Sequence, residues 1–328
     1  MDRIMLSHGG GGVEMNELIN KMIFEIFNNE ILNRADDSAV LGGVKNLAFS
    51  TDSFVVTPIF FNGGDIGKIA ACGTINDLLM VGAKPKFLSC SLIIEEGLAI
   101  SDLKSILISL NEVCKSADVK VVCGDTKVVP KGKCDKIFIN TAGVGEVVCE
   151  NVSTKSLKSG AKILLSGDIG RHGGVILSNR ENLQSELKSD CKSLKNVVLA
   201  LLDAGIKPLC MRDATRGGVS AVLNEWAGAC GLEILVYDEK IAVSSEVLGI
   251  CELFGFEPYE LANEGTFLLA VMPDDAIKAV EILRQFDKNA NEIGEILDSK
   301  KSRVVIENAY KSRRFLEPPK GELLPRIC

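Results

Sequence analysis

Strand-like and helix-like stretches alternate along this chain, and the alternation runs through two comparable halves. Met15, Leu18, Ile19, Met22, Ile23 and Ile26 recur at helical spacing, so residues 14–28 read as an amphipathic helix. "NLAFSTD" (46–52) reads as a strand, 65–83 as a helix stopped at Gly82, and "KFLSCSLIIEE" as a strand. A helix at 101–117 follows, then strands at "VKVVCGDT" and "KIFINTAGVGEVV". After a polar stretch near 149–160 the pattern resumes. "AKILLSGDIG", "LEILVYD", 266–272 and 292–297 read as strands, and 190–204, 216–230, 244–254 and 274–287 as helices, with Trp226 in the core. Such alternation fits an α+β or α/β chain in two lobes, and 328 residues give each half enough length for its own core.

The expected domains are an N-terminal lobe over 1–150, a C-terminal lobe over 151–314 and a tail over 315–328. Pro318, Pro319 and Pro325 keep that tail out of helix. Extended at ~3.1 Å per residue, it could reach on the order of 40 Å. It ends on Cys328. Chain ends are usually mobile and replaceable, so the terminal cysteine is either an accident or a thiol on a tether, carried to a site elsewhere.

A formal net charge of −7 argues against a broad nucleic-acid surface. A phosphate ligand would meet a negative protein, which calls for a bridging divalent cation. The 11 cysteines include no CxxC pair and no Cys/His cluster of zinc spacing. Most sit in apolar segments and read as packed thiols in a reducing compartment. The opening run is too short for a signal peptide and no apolar run approaches a membrane span, so the expected location is the cytoplasm.

Acidic residues recur at strand ends and loops, beside Gly or Thr: Asp36 and Asp37 in "RADDSAVL", Asp52 in "FSTDSF", Asp77 in "TINDLLMVGAKP", Asp125 in "VCGDTKVV" and Asp213 in "MRDATRGG". Each alone could be a cap or turn residue. Carboxylates converging from several loops suit Mg²⁺, a hard cation that binds oxygen ligands and substrate phosphates. No Walker A motif is present, because Gly63 stands one place short of the required spacing before Lys68 and Ile69 replaces Ser/Thr. What remains is "SHGGGGVEMNEL", four glycines (Gly9, Gly10, Gly11 and Gly12) directly before a helix, where backbone N–H groups can close over an anion. His8 and His172, the only histidines, lie beside Gly pairs and read as surface-loop or substrate-contact residues. Lys127 after "GDT" and Glu264 in "LANEG" are charged residues between apolar strands, either site residues or solvated ends.

Together "DDSAV", "TIND…VGAKP", "CGDTKVV" and "RDATRGG" resemble the ATP-binding superfamily of aminoimidazole ribonucleotide synthetase, selenophosphate synthetase and thiamine-monophosphate kinase. "FSTDSFVVTPIFFNGGDIGKIAACGTINDL", "INTAG", "LANEG" and the terminal "PRIC" resemble, within it, the HypE family of hydrogenase maturation factors, the carbamoyl dehydratases. The resemblance spans the whole chain. It implies an α+β, two-lobed PurM-like (AIR synthetase-like) fold, each lobe a mixed sheet with flanking helices, paired as a homodimer with ATP at the lobe interface. It also implies that a HypF-type carbamoyltransferase loads a carboxamide onto Cys328. ATP-dependent dehydration then gives a thiocyanate, whose cyano group passes to iron on a HypC–HypD complex for [NiFe] hydrogenase.

By the same resemblance Asp37, Asp77 and Asp213 are leading metal ligands, with Asp36, Asp52 and Asp125 as further ligands or anchors. Gly9 to Gly12, Asp52, Lys68, Asn76, Gly124, Asp125, Thr126 and Lys127 would contact the nucleotide or the tail. Glu264 would be the base or carboxamide anchor, with Lys127 opposite it. Two positions depart from the family pattern. Arg171 stands where an acidic residue usually precedes the His, which leaves the His172 loop without a fixed role, and Thr266 replaces a common Lys. Two rival readings stay open: a kinase or synthetase acting on a free small molecule, and a non-enzymatic carrier whose tail is switched by nucleotide.

Overall fold

The computed structural model describes residues 3–9, 13–34, 39, 41–43, 45–319 and 326–328. The N-terminal helix forms as α1 (Val13–Leu18) and α2 (Phe24–Phe27), joined by a π-turn at Ile19–Ile23. Strand β1 (Leu47–Phe54) and the small hairpin β2 (Phe60–Phe61) and β3 (Gly64–Asp65) lead into α3 (Ile66–Met80), β4 (Ala83–Glu95), α4 (Ile100–Ser116), β5 (Lys120–Val129) and β6 (Ile137–Val147). The large strands form one sheet in the order β1-β6-β4-β5, antiparallel except for the parallel β4–β5 pair.

Helix α3 explains how this lobe holds together. Asp65 caps its start, Oδ1 accepting from Gly67 N (2.7 Å) and Lys68 N (3.0 Å). The helix is apolar nearly all round, and accordingly it is buried all round. It packs on β1, β4 and β6 and on α4, and its remaining face meets the other lobe. Gly67 permits that packing, because a Cβ there would collide with the Ile106 carbonyl of α4. Gly82, at φ +73°, ends the helix turn as the sequence suggests.

The second lobe comprises β7 (Lys162–Leu165), α5 (Arg171–Arg180), α6 (Lys195–Asp203), β8 (Cys210–Asp213), α7 (Gly218–Cys230), β9 (Glu233–Tyr237), α8 (Ser245–Phe254), β10 (Phe267–Val271), α9 (Pro273–Leu283), β11 (Asn291–Leu297), β12 (Arg303–Glu307) and β13 (Arg313–Phe315). Its seven strands run β13-β12-β9-β11-β7-β10-β8, with only β9 and β12 parallel. One core spans both lobes, from Ile4 through α3 to Val280 and Ile327, and a second, around Trp226, fills the far side of the seven-stranded sheet. The architecture is the expected α+β pair of mixed sheets with flanking helices.

Helix α5 and strands β8, β12 and β13 were not expected. Gly173 and Gly174 masked α5, yet a side chain at either would press on Leu261 or Leu187. Residues 190–194 stay outside α6, held instead as a loop against the first lobe: Leu194 N donates to Asn76 Oδ1 at 2.8 Å.

Candidate functional site

The two lobes meet along α3 and β8, and their junction gathers acidic side chains. Asp52 comes from β1, Asp77 from α3 and Asp213 from the end of β8, an edge strand that touches α3. Burial and the charge of Asp77 raise the Asp52 carboxyl above its ordinary value. Burial also raises Asp77, although Ser50 Oγ donates to its Oδ2 at 2.8 Å. Asp213 is 6% exposed and is pushed up to about 7 by burial, then by Asp77. Three carboxylates are thus crowded together, with Arg216 near Asp52 and Arg212 near Asp77 and Asp213 only partly offsetting their burial.

Glu264 faces the same junction from the loop before β10. It is 3% exposed, its Oε1 has no hydrogen-bond partner, and burial with the nearby Cys191, Asp190 and Asp213 raises its carboxyl well above the usual range. Its loop is pinned from behind: Glu264 N and Gly265 N donate to the Asp190 carboxylate at 3.1 and 2.9 Å. Asn263 Oδ1 accepts from Gly170 N at 2.6 Å, and its Nδ2 donates to Ala214 O at 2.9 Å. A buried carboxylate on a rigid loop with a bare oxygen is costly unless something fills the space before it.

Cys328 lies close enough to Glu264 to feel its charge. Its thiol is pushed up to about 12 by burial first and by Glu264 second, while Arg216, donating from Nη2 to Sγ at 3.2 Å, works the other way. Arg216 is presented by the β8–α7 loop, where Gly217 and Gly218 take φ of +80° and +61°. A side chain at Gly218 would strike the Tyr259 and Leu261 carbonyls, so glycine is required there. The described ends of the tail are docked. Ser220 Oγ and Asn224 Nδ2 donate to the Glu317 and Leu316 carbonyls at 2.6 and 2.9 Å, and Ile327 is buried in the shared core.

The remaining sequence candidates lie elsewhere or have other work. Asp125, Lys127, Thr126 and Gly124 are on β5, across the sheet from β1, three strand spacings or about 14 Å away. Lys127 donates to Asp125 there at 2.9 Å, and this pairing holds the Asp125 carboxyl below its ordinary value. Within the chain, therefore, Lys127 does not stand opposite Glu264. Gly9 ends a short 3₁₀ turn that touches β5. Gly124, Asp125 and Thr126 line a cavity of about 470 Å³ beneath α1 and α2, apart from the carboxylate junction. Lys68 Nζ donates to Gly63 O at 2.8 Å. Asn76 is buried and spans the lobes, donating to Lys192 O at 3.1 Å as well as accepting from Leu194 N. Asp36, Asp37 and Gly10 to Gly12 lie outside the described residues.

Neither histidine is a surface-loop residue: His8 and His172 are both buried. The ring of His172 meets Phe61 edge-on at 5.3 Å between centroids, and Nε2 lies 2.7 Å from the Ile327 carbonyl. A carbonyl can only accept, so Nε2 carries the proton and Nδ1 accepts from Ser189 Oγ at 2.9 Å. Burial lowers the ring's pKa, keeping it neutral. The departures are accommodated: Arg171 pairs with Asp168 at 2.6 Å, and Thr266 Oγ1 donates to Asp168 O at 3.0 Å. Sequence reasoning missed Arg216, although "RDATRGG" contains it, and it gave no tail-holding role to His172 or Arg180.

Among the described residues, no group of three or more His, Cys, Asp and Glu side chains is close enough to hold a metal ion. The donors at the junction are nevertheless hard carboxylate oxygens whose pKa values are raised by burial, with the charge of Asp77 adding to it at Asp52 and Asp213, a set that fits Mg²⁺ rather than a softer metal. No helix among the described residues is long and apolar enough to cross a membrane.

The model of the AIR synthase related protein N-terminal domain matches residues 35–147, and that of its C-terminal domain matches 158–307. Carbamoyl dehydratase HypE of Escherichia coli K12 is 43% identical over 340 aligned positions, covering all of both chains. A crystal structure of hydrogenase maturation protein HypE in complex with ATP superposes with a TM-score of 0.95 at 38% identity, covering 99% of each chain. A HypE–HypF complex matches with a TM-score of 0.79 at 44% identity, covering 92% of this chain and 99% of that one.

Proposed function

This chain belongs to the HypE carbamoyl dehydratases of the AIR synthase related family, and from that premise we propose that it dehydrates a carboxamide carried on its own Cys328. The reaction converts Cys328–S–C(=O)–NH₂ and ATP into Cys328–S–C≡N, ADP and phosphate. The γ-phosphoryl group of ATP goes to the carboxamide oxygen, making it a leaving group, and loss of both N–H protons with departure of phosphate closes the C≡N bond. The observation that carries this reading is the bare oxygen of Glu264 close to the Cys328 thiol.

Glu264 accepts the N–H proton. Its buried setting makes it a stronger base than a solvated carboxylate, and its pinned loop holds it in place. Arg216, already bonded to Sγ, steadies negative charge developing on the carboxamide oxygen. Asp37, Asp77 and Asp213, with Asp52 beside the last two and Asp36 in reserve, would hold a Mg²⁺, which supplies neutralising charge for the phosphates when bound. Gly9, Gly124, Asp125 and Thr126 are proposed to hold the nucleoside end. The cavity beside β5 is within the roughly 300–1,000 Å³ of small-molecule sites. The buried cleft excludes water from the intermediate.

The partners follow from the chemistry of loading and delivery. A HypF-type carbamoyltransferase loads the thiol, a relationship supported by the solved HypE–HypF complex. A HypC–HypD iron scaffold receives the cyano group, and the setting is cytoplasmic. A homodimer through the first lobe is supported by the exposed Leu47 and Phe49 on edge strand β1. The test is stoichiometry: phosphate release from ATP should match the number of carbamoylated Cys328 groups one to one. Release of equal size from an unloaded or Cys328→Ala chain would point to a free small-molecule substrate instead.

A further inference from the structure

The last three residues are held by a groove built wholly from the body of the protein. Val55 N donates to the Cys328 carbonyl oxygen and Thr57 N to that of Arg326, each at 3.1 Å. The residue numbers fall on one chain as they rise on the other, so the tail end runs antiparallel to the segment that follows β1, accepting from it through its carbonyls. His172 Nε2 holds the carbonyl between them, that of Ile327, at 2.7 Å. Arg180 clamps both segments, donating from Nη2 to Arg326 O at 2.6 Å and from Nε to Thr57 O at 2.8 Å.

All three carbonyls are therefore recognised, and the side chains are sorted by chemistry. Ile327 is 2% exposed inside the shared core. Arg326 makes an ion pair with Asp135 at the rim, and the thiol reaches Arg216. Strand addition to an extended edge, with pockets for alternate side chains, is how folded domains bind separate peptides. Nothing in these contacts uses the covalent link to the rest of the tail.

We propose that this groove is a peptide-binding site for a C-terminal Arg-Ile-Cys sequence, and that it accepts such a peptide supplied in trans. The substrate of the dehydration is then, by this site's own recognition, a terminal tripeptide bearing the carboxamide. That chemical consequence rests on the proposed function, whereas the binding does not. The tether serves to raise local concentration, not to create the fit.

The test uses the full chain with Ile327→Asp, which expels the protein's own tail end from its apolar pocket and leaves every groove residue in place. A fluorescein-labelled peptide, Lys-Gly-Glu-Leu-Leu-Pro-Arg-Ile-Cys with a free carboxylate, is titrated under reducing conditions and followed by anisotropy. The variant should bind it saturably and at least tenfold more tightly than the wild-type chain, whose own tail fills the groove. Replacing Ile by Asp in the peptide, or adding Arg180→Ala to the protein, should each weaken binding tenfold or more. Should Ile327→Asp not fold, Arg326→Asp, which breaks the rim ion pair and repels Asp135, replaces it as receptor. Equal affinity for both proteins, or for both peptides, would overturn the proposal. Peptide binding by Ile327→Asp, together with a wild-type chain that never dehydrates its own loaded Cys328 when given Mg-ATP, would overturn the catalytic reading and leave the groove standing.

Discussion

In the proposed reaction Glu264 takes the proton and Arg216 steadies the oxygen, and Glu264 gives the first test. Glu264→Gln keeps the shape and removes the base, so dehydration of the loaded chain should slow by about 10²–10⁴-fold while carbamoylation of Cys328 proceeds. Single-turnover loss of carboxamide checks this, and an unchanged rate would remove Glu264 from proton transfer. Because burial raises the Glu264 carboxyl, the dehydration rate should fall as pH drops through a value above the ordinary carboxylate range. Cys328 makes a second pH statement. Docked, its thiol is pushed up to about 12, against 9 for an ordinary cysteine. The docked tail is thus fully favoured below pH 9 and loses ground as pH rises from 9 toward 12. Alkylation of Cys328 at pH 8, read by peptide mass mapping, should be at least tenfold slower in the wild-type chain than in His172→Ala. Equal rates would mean that the tail end is not held as described.

At the level of elements, α3 and the loops around it set the cleft, and they show what could and could not be read from sequence. The sequence of 65–83 reads as a helix, and Asp52, Asp77 and Asp213 stand out because acidic residues recur in the same kind of Thr- or Gly-flanked setting; Asp77 lies within α3 rather than at a strand end or loop. Their meeting was legible only as a suspicion, since three segments far apart in sequence must fold onto one junction. Asn76 illustrates the limit. It lies in the "TIND" motif and reads as a ligand contact, but both ends of its amide bridge the lobes. Asn76→Ala should cost about 1–3 kcal/mol of stability by leaving the Leu194 N–H and Lys192 carbonyl unpaired, measurable by denaturant unfolding. Helix α5 was hidden by its glycines, and β8, β12 and β13 have too few residues for a period to show. Arg216 was overlooked because a loop arginine beside two glycines looks like any solvated turn until the tail is seen to reach it.

On the scale of the whole molecule, the sequence candidates separate into two groups. Asp52, Asp77, Asp213, Glu264 and Cys328 share the junction, while Gly9, Gly124, Asp125, Thr126 and Lys127 share the far edge of the first sheet. One core runs through both lobes and takes in Ile327 of the tail, so loading of Cys328 by a partner enzyme, as proposed, requires the tail end to leave that core. The central claim is that a carboxamide loaded on Cys328 by the transferase is dehydrated in a site belonging to the same protein. Intact mass tests it most directly, taken on the chain after carbamoylation by its transferase, before and after Mg-ATP. The account predicts loss of the mass of one water, confined to Cys328 and absent from Glu264→Gln on the same timescale. A carbamoylated mass that stays unchanged while ATP is bound would contradict it and leave a nucleotide-gated carrier.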